Sequence, residues 1–173
     1  MIRVIGLLLL CLSAIGWPLP VTAAVWESSV IHVADGDTLT VLRRGRRETI
    51  RLLYIDAPES DQRYGRESRR ALQQLVRGYR VRVDTRGKDR YGRTLAEIRR
   101  LPDGLDVNLE QVRTGLAWAN ARGAQAPRFE SEEAAARTRR AGLWQDPAPI
   151  PPRTWRRRPE ARQSGMSQTR SRN

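Results

Sequence analysis

Between Val30 and Glu59 the chain carries three strand-like segments separated by two turns, and the third segment holds an arginine that a closed structure must neutralise. Val30 to Val33 is apolar and β-branched, Asp35-Gly36 is a hairpin-type turn dipeptide, and Thr38 to Leu42 resumes the strand pattern. Arg44-Gly45-Arg46 gives the next turn and Glu48 to Ile55 the third strand. Alternation along that strand predicts Ile50, Leu52 and Tyr54 on one face and Arg51, Leu53 and Ile55 on the other. A guanidinium between apolar neighbours is costly to bury unless an anion meets it. Two readings are open at this point. Arg51 forms a purely structural salt bridge to Asp35, Asp37 or Asp56, or it is held ready for a phosphate.

The remaining segments complete a small domain. Gln62 to Gly65 reads as a loop, and Glu67 to Val76 as a helix with Ala71, Leu72, Leu75 and Val76 at helical spacing and Gly78 as its stop. Tyr79, Val81 and Val83 alternate with charged residues, and Thr94 to Arg100 forms another strand ended by Pro102-Asp103-Gly104. Asn108 is placed to cap a short helix carrying Leu109, Val112 and Leu116. A last helix runs from Ser131 to Arg140, Gly142 ends it, and Leu143-Trp144 can fold back on the core. This order predicts an α+β domain: a five-stranded Greek-key barrel of the OB type with about three helices.

Both ends differ from this middle. Arg3, an apolar run from Val4 to Ile15 and the small residues Val21 to Ala24 predict a secretory signal peptide over residues 1–24, and with it a periplasmic or extracellular protein. The single cysteine, Cys11, lies in that run, so the domain over 25–145 has to be stable without disulfides. Residues 146–173, rich in proline and arginine, are expected to form an irregular basic tail, the one part besides an uncleaved signal that could touch a membrane. Lysine plus arginine outnumber aspartate plus glutamate 32 to 19, a net charge of +13 that suits a polyanionic partner. Nothing in the sequence points to an obligate protein partner, and a monomer is expected.

Chemistry concentrates around Arg51. If the three strands form a meander, Asp37 and Asp56 end at the same sheet edge, where paired carboxylates require a proton or a cation. Oxygen donors without nearby histidine or cysteine suit Ca²⁺ or Mg²⁺ rather than zinc; the lone histidine, His32, reads as a structural strand residue. Glu59 follows closely enough to act on a water at such a site. The segment Asp89-Arg90-Tyr91-Gly92-Arg93 supplies a second guanidinium at the start of a strand.

Asp35-Gly36-Asp37-Thr38, Ile50 through Glu59 and Asp89 through Arg93 occur in an order and spacing that resembles the staphylococcal nuclease family. The likeness continues through Tyr64-Gly65, Asn108 to Leu116 and Gly142-Leu143-Trp144, and covers about Val30 to Trp144. The resemblance implies an OB barrel and a Ca²⁺-dependent nuclease that acts on DNA and RNA and leaves 3′-phosphates. It assigns Ca²⁺ to Asp37, Asp56 and the Ala57 carbonyl, with Asp35 behind them. Arg51 and Arg93 are implied to hold the scissile phosphate, Glu59 to act on the attacking water, and Arg90 and Tyr91 to contact a further phosphate. Trp118 stands where the family carries tyrosines near the base, and reads as either a stacking platform or core. The alternative is a nuclease-like module that binds nucleic acid without cleaving it.

Overall fold

A computed structural model describes residues 24–158 of the chain. The expected signal peptide, apart from Ala24, and the tail beyond Arg158 lie outside the described residues.

Period-two alternation builds the barrel. The strands β1 (Val25–Val33), β2 (Thr38–Arg43) and β3 (Arg46–Leu52) form a meander. After the two-residue strand β4 (Ile55–Asp56) and helix α1 (Gly65–Val76) come β5 (Arg80–Lys88) and β6 (Thr94–Arg100). Five of these close in the order β1-β2-β3-β6-β5, with β3 and β6 parallel and the other pairs antiparallel. The five-stranded barrel expected from the sequence is therefore present. Leu39, Val41, Ile50, Leu52, Val81, Val83, Ala96 and Ile98 point inward and are buried. Each such large side chain contributes about 1.5–3 kcal/mol by leaving water.

Helix α2 (Val107–Arg113), the short strand β7 (Trp118–Ala119), helix α3 (Ala126–Thr138) and the single turn α4 (Pro152–Trp155) follow. β4 and β7 pair with each other outside the barrel. Leu72 and Val76 of α1, Val107 and Val112 of α2 and Phe129 of α3 join the barrel core. Trp118 packs edge-on against Trp144 with ring centroids 5.6 Å apart, in a second cluster with Ala136 and Leu143. Trp118 is thus core and not a stacking platform.

Several expectations are corrected. The third strand stops at Leu52, because Tyr54 adopts a left-handed conformation with φ 68°. The extra turn returns Ile55 to the core side with Ile50 and Leu52, away from the face it was expected to share with Arg51. The cap of α2 is Asp106, whose side chain accepts from the Leu109 N–H at 3.0 Å. Asn108 is instead buried, accepting from Ile98 N–H and donating to Leu53 and Ala96 carbonyls, which satisfies backbone groups left by the break after β3. Helix α3 begins five residues earlier than expected, at Ala126, where Pro127 in the first turn needs no N–H partner. His32 is exposed on β1. At the other end, residues 146–158 pack against the domain and include α4, so the irregular tail does not begin at 146.

Ala24, just ahead of β1, is tied to the barrel. Ala24 and Thr85 exchange bonds at the β1–β5 seam: Ala24 N–H donates to Thr85 Oγ1, and Thr85 N–H and Oγ1 donate to the Ala24 carbonyl, each at 3.0 Å.

The β1–β2 turn is pressed against α1. A Cβ at Gly36 would lie 1.8 Å from Ser68 Oγ and 2.8 Å from Ala57 Cβ. Gln111 of α2 clamps the contact by donating to the carbonyls of Gly36 and Ser68 at 2.7 and 3.1 Å. Gly36→Ala should therefore lower the unfolding free energy by about 1–3 kcal/mol through overpacking. Urea titration measures this, and an unchanged midpoint would mean that the turn does not seat on α1.

Candidate active site

The turn, the end of β3 and the chain after β4 meet at one rim of the barrel. Asp35 Oδ1 accepts from the Asp37 N–H at 3.0 Å, an Asx turn that sets Asp37 pointing inward. Asp37 is only 6 % exposed. Its Oδ2 accepts from the Ala57 N–H at 2.7 Å and its Oδ1 from the Thr38 hydroxyl at 3.1 Å. Arg51, opposite Thr38 in the β2–β3 register, reaches Asp37 Oδ2 at 2.8 Å, Asp56 Oδ1 at 3.0 Å and the Leu52 carbonyl at 3.0 Å. One guanidinium thus bridges the two carboxylates.

Burial pushes the Asp37 pKa up to about 8. Arg51 and the Ala57 N–H draw it down and the charges of Asp35 and Asp56 raise it, but burial prevails. The carboxylates at this depth hold more negative charge than Arg51 offsets, which suits a further cation.

Glu59 lies on the loop that follows β4. That loop must pass tightly over the start of α1: a Cβ at Gly65 would lie 1.9 Å from the Glu59 carbonyl oxygen. Burial raises the Glu59 pKa, the bond and charge of Arg156 lower it, and Asp35 and Asp56 add to the rise; the net direction is upward. A carboxylate shifted this way is better able to take up a proton near neutral pH.

The second arginine is fixed by its own turn. Asp89 accepts from the N–H groups of Tyr91 and Arg93 and from Arg93 Nε at 2.8 Å, which prevents the guanidinium from wandering. Slight burial raises the Asp89 pKa, but the bonds from Arg93 and Tyr91 outweigh it and hold the carboxyl below its usual range. Tyr91 is exposed, with its hydroxyl bonded to Arg90 at 2.6 Å and its ring 4.8 and 5.6 Å from the Arg90 and Arg93 guanidinium carbons. Because β3 pairs in parallel with β6, Arg51 opposite Leu95, Arg93 falls at the same end of the neighbouring strand.

These groups surround a cleft of about 470 Å³. It brings together Asp35, Asp37, Arg51, Ala57, Glu59, Arg90, Tyr91 and Arg93, with Asp56 tied in through Arg51. One lining residue was missed in the sequence: Arg156, which bonds Glu59 Oε1 at 2.5 Å and Asp56 Oδ2 at 3.3 Å. Gln62 was missed too, a buried side chain that accepts from the Glu59 N–H at 3.2 Å. A second recess of about 630 Å³ lies at the β2–β3 hairpin, lined by Arg43, Arg44, Arg46, Arg47 and Lys88 around Glu48. Lys88 leads directly into the 89–93 turn, so this basic surface adjoins the cleft.

Comparison with known proteins bears on this site. A family model described as staphylococcal nuclease homologue matches residues 49–146. A protein named "Uncharacterized endonuclease" from Escherichia coli O157:H7 is 41 % identical over 139 residues, which span 80 % of this chain and 90 % of the relative. One of the same name from Haemophilus influenzae is 41 % identical over 129 residues, 74 % of this chain and 71 % of the relative. The "Micrococcal nuclease" of Shigella flexneri is 37 % identical over 146 residues, 78 % of this chain and 82 % of the relative.

The Asp37 environment sets a pH dependence. Its folded pKa of about 8 lies above the ordinary 3.8. The stability it lends the chelator-treated protein is whole below about pH 4 and is lost as pH rises through about 8. Urea unfolding in EDTA should show wild type losing stability from about pH 5 to about pH 9 relative to Asp37→Asn, in which this ionisation is absent. Parallel profiles would refute it.

Proposed function

Because the chain belongs to the staphylococcal nuclease family and is a nuclease of that family, we propose that the 470 Å³ cleft is the active site of an exported, Ca²⁺-dependent endonuclease. On this reading it hydrolyses phosphodiester bonds in DNA and RNA and leaves 3′-phosphates. The observation that carries the proposal is the convergence of Arg51, Arg93 and Glu59 with the Asp37–Asp56 pair on one cleft. The adjoining basic hairpin supports a polyanionic substrate longer than one nucleotide.

The donor set fits a hard cation. Asp37 and Asp56 already share one guanidinium, so they are close enough to share one ion, and Ala57 is bonded to Asp37 through its own N–H. Among the described residues no group of three His, Cys, Asp or Glu side chains forms a closed metal cluster. Two carboxylates and the Ala57 carbonyl would therefore hold Ca²⁺ in an open shell, leaving positions for water and phosphate oxygens among its about six to eight ligands. When bound, the ion supplies Lewis-acid polarisation of a phosphoryl oxygen.

The chain's own groups do the rest. Arg51 and Arg93 hold the non-bridging oxygens of the scissile phosphate and stabilise charge as it builds there. Their planar forks suit this better than lysine would. Glu59 accepts a proton as a water oxygen forms its bond to phosphorus. The bond from phosphorus to the 5′ oxygen breaks, that oxygen takes a proton from solvent, and the phosphate stays on the 3′ oxygen. Arg90 and Tyr91 reach a neighbouring phosphate. Asp35 keeps the Asp37 turn in place. Export is part of the proposal, supported by the charged, apolar and small-residue pattern of residues 1–24.

Purified protein should digest DNA and RNA with Ca²⁺ and stop in EDTA, and end-group analysis should find 3′-phosphates. Arg51→Ala, Arg93→Ala and Glu59→Ala should each lower kcat by about a hundredfold or more, as removal of a preorganised charged group does. Digestion that persists in EDTA or in Arg51→Ala would reject this site; nucleic-acid binding without cleavage would favour a silent binding module.

A further inference from the structure

We propose that the segment 146–158 is a working part of the catalytic cleft, and that Arg156 is the positioning residue that aims the Glu59 carboxylate. This inference rests on the nuclease reading of the cleft and adds a residue and a chain segment to it.

The segment grips the one loop that carries Glu59. Asp146 pairs with Arg63 at 2.7 Å, the Ile150 carbonyl accepts from Gln62 Nε2 at 2.5 Å, and Trp155 Nε1 donates to Asp61 Oδ1 at 3.1 Å. Pro152, the first residue of α4, is buried. Gln62 acts on both sides, since its Oε1 accepts from the Glu59 N–H while its Nε2 holds Ile150. The backbone of Glu59 is thus one side chain away from the segment, and its carboxylate is bonded to it directly through Arg156. The prolines at 147, 149, 151 and 152 restrict the connecting chain, so little entropy is lost in holding it extended across the domain. α4 then makes one turn and presents Arg156 at its end.

The geometry separates positioning from two other roles. Arg156 is half exposed, with its side chain 50 % accessible, and a pair of that kind adds only about 0–1 kcal/mol to stability. Its value to the fold is small, whereas misplacing a catalytic group by about 1 Å can cost on the order of a hundredfold in rate. Phosphate binding is not its first task either, because both terminal nitrogens are directed at carboxylates: NH1 at Glu59 and NH2 at Asp56. NH1 takes Oε1 of Glu59, and among the described residues Oε2 has no bonded partner. That leaves the second oxygen for a water.

The test is a double-mutant cycle on the full chain with Ca²⁺ present, using Arg156→Ala, Arg156→Lys, Glu59→Ala and the double variant. Rates are read at steady state with substrate in excess, and oligonucleotide affinity by fluorescence anisotropy in EDTA. Arg156→Ala should lower kcat by about ten- to a hundredfold with KM and anisotropy unchanged. Arg156→Lys should recover part of the loss, and Arg156→Ala should have no further effect once Glu59 is alanine, as expected of residues acting as a unit. Equal losses in both Glu59 backgrounds would overturn the proposal. So would a rise in KM with kcat intact, which would make Arg156 a phosphate contact, or an unchanged or faster rate, which would make the segment dispensable or a plug. A wild type that cleaves nothing would instead overturn the nuclease reading itself.

Discussion

Everything at the barrel rim depends on the bridge that Arg51 makes between Asp37 and Asp56. It is a nearly buried pairing, with each of the three side chains no more than 14 % exposed. Removing one member of such a network leaves an uncompensated charge and costs about 3–5 kcal/mol. The bridge joins three places that are separate along the chain: the β1–β2 turn, the end of β3 and the strand β4. Because Asp37 also binds the Ala57 N–H, the backbone that leads to Glu59 is drawn into the same knot. The structural and the chemical readings of Arg51 are therefore not rivals. The pairing that makes a buried arginine tolerable is also what gathers the two carboxylates at one rim.

The parts legible in the sequence were those written locally. Asp35-Gly36-Asp37 shapes its own turn, Arg51 declares itself by interrupting an apolar alternation, and Asp89 fixes Arg93 only four residues away. Strand meander and parallel return then carry these short stretches to one rim. The break at Tyr54 left no trace, since a tyrosine gives no signal for positive φ. Asp106 was a recoverable miss, an N-cap residue directly ahead of Val107. Asn108 read as a helix cap and Gln111 carried no signal of its own, yet each satisfies backbone groups inside the fold.

Arg156 is hardest to see because its partners lie 97 and 100 residues away. Its neighbourhood has the composition of an unstructured tail. The one available clue was Trp155: a large aromatic in an otherwise polar stretch needs somewhere to rest, and it rests over the Glu59 loop. Composition predicted how much apolar surface the segment could bury, but not that a few polar bonds to one loop would suffice to hold it.

The seam between Ala24 and Thr85 has a consequence for how the barrel shuts. Ala24 is bonded on both its N–H and its carbonyl to Thr85 of β5. β1 and β5 lie far apart along the chain, so bringing them together carries a loop-closure cost that the neighbouring hairpin pairs do not. A hydroxyl that both donates and accepts at the outer end of that ladder helps to offset it. The strand pair that is hardest to bring together is thus the one fastened by a side chain as well as by backbone.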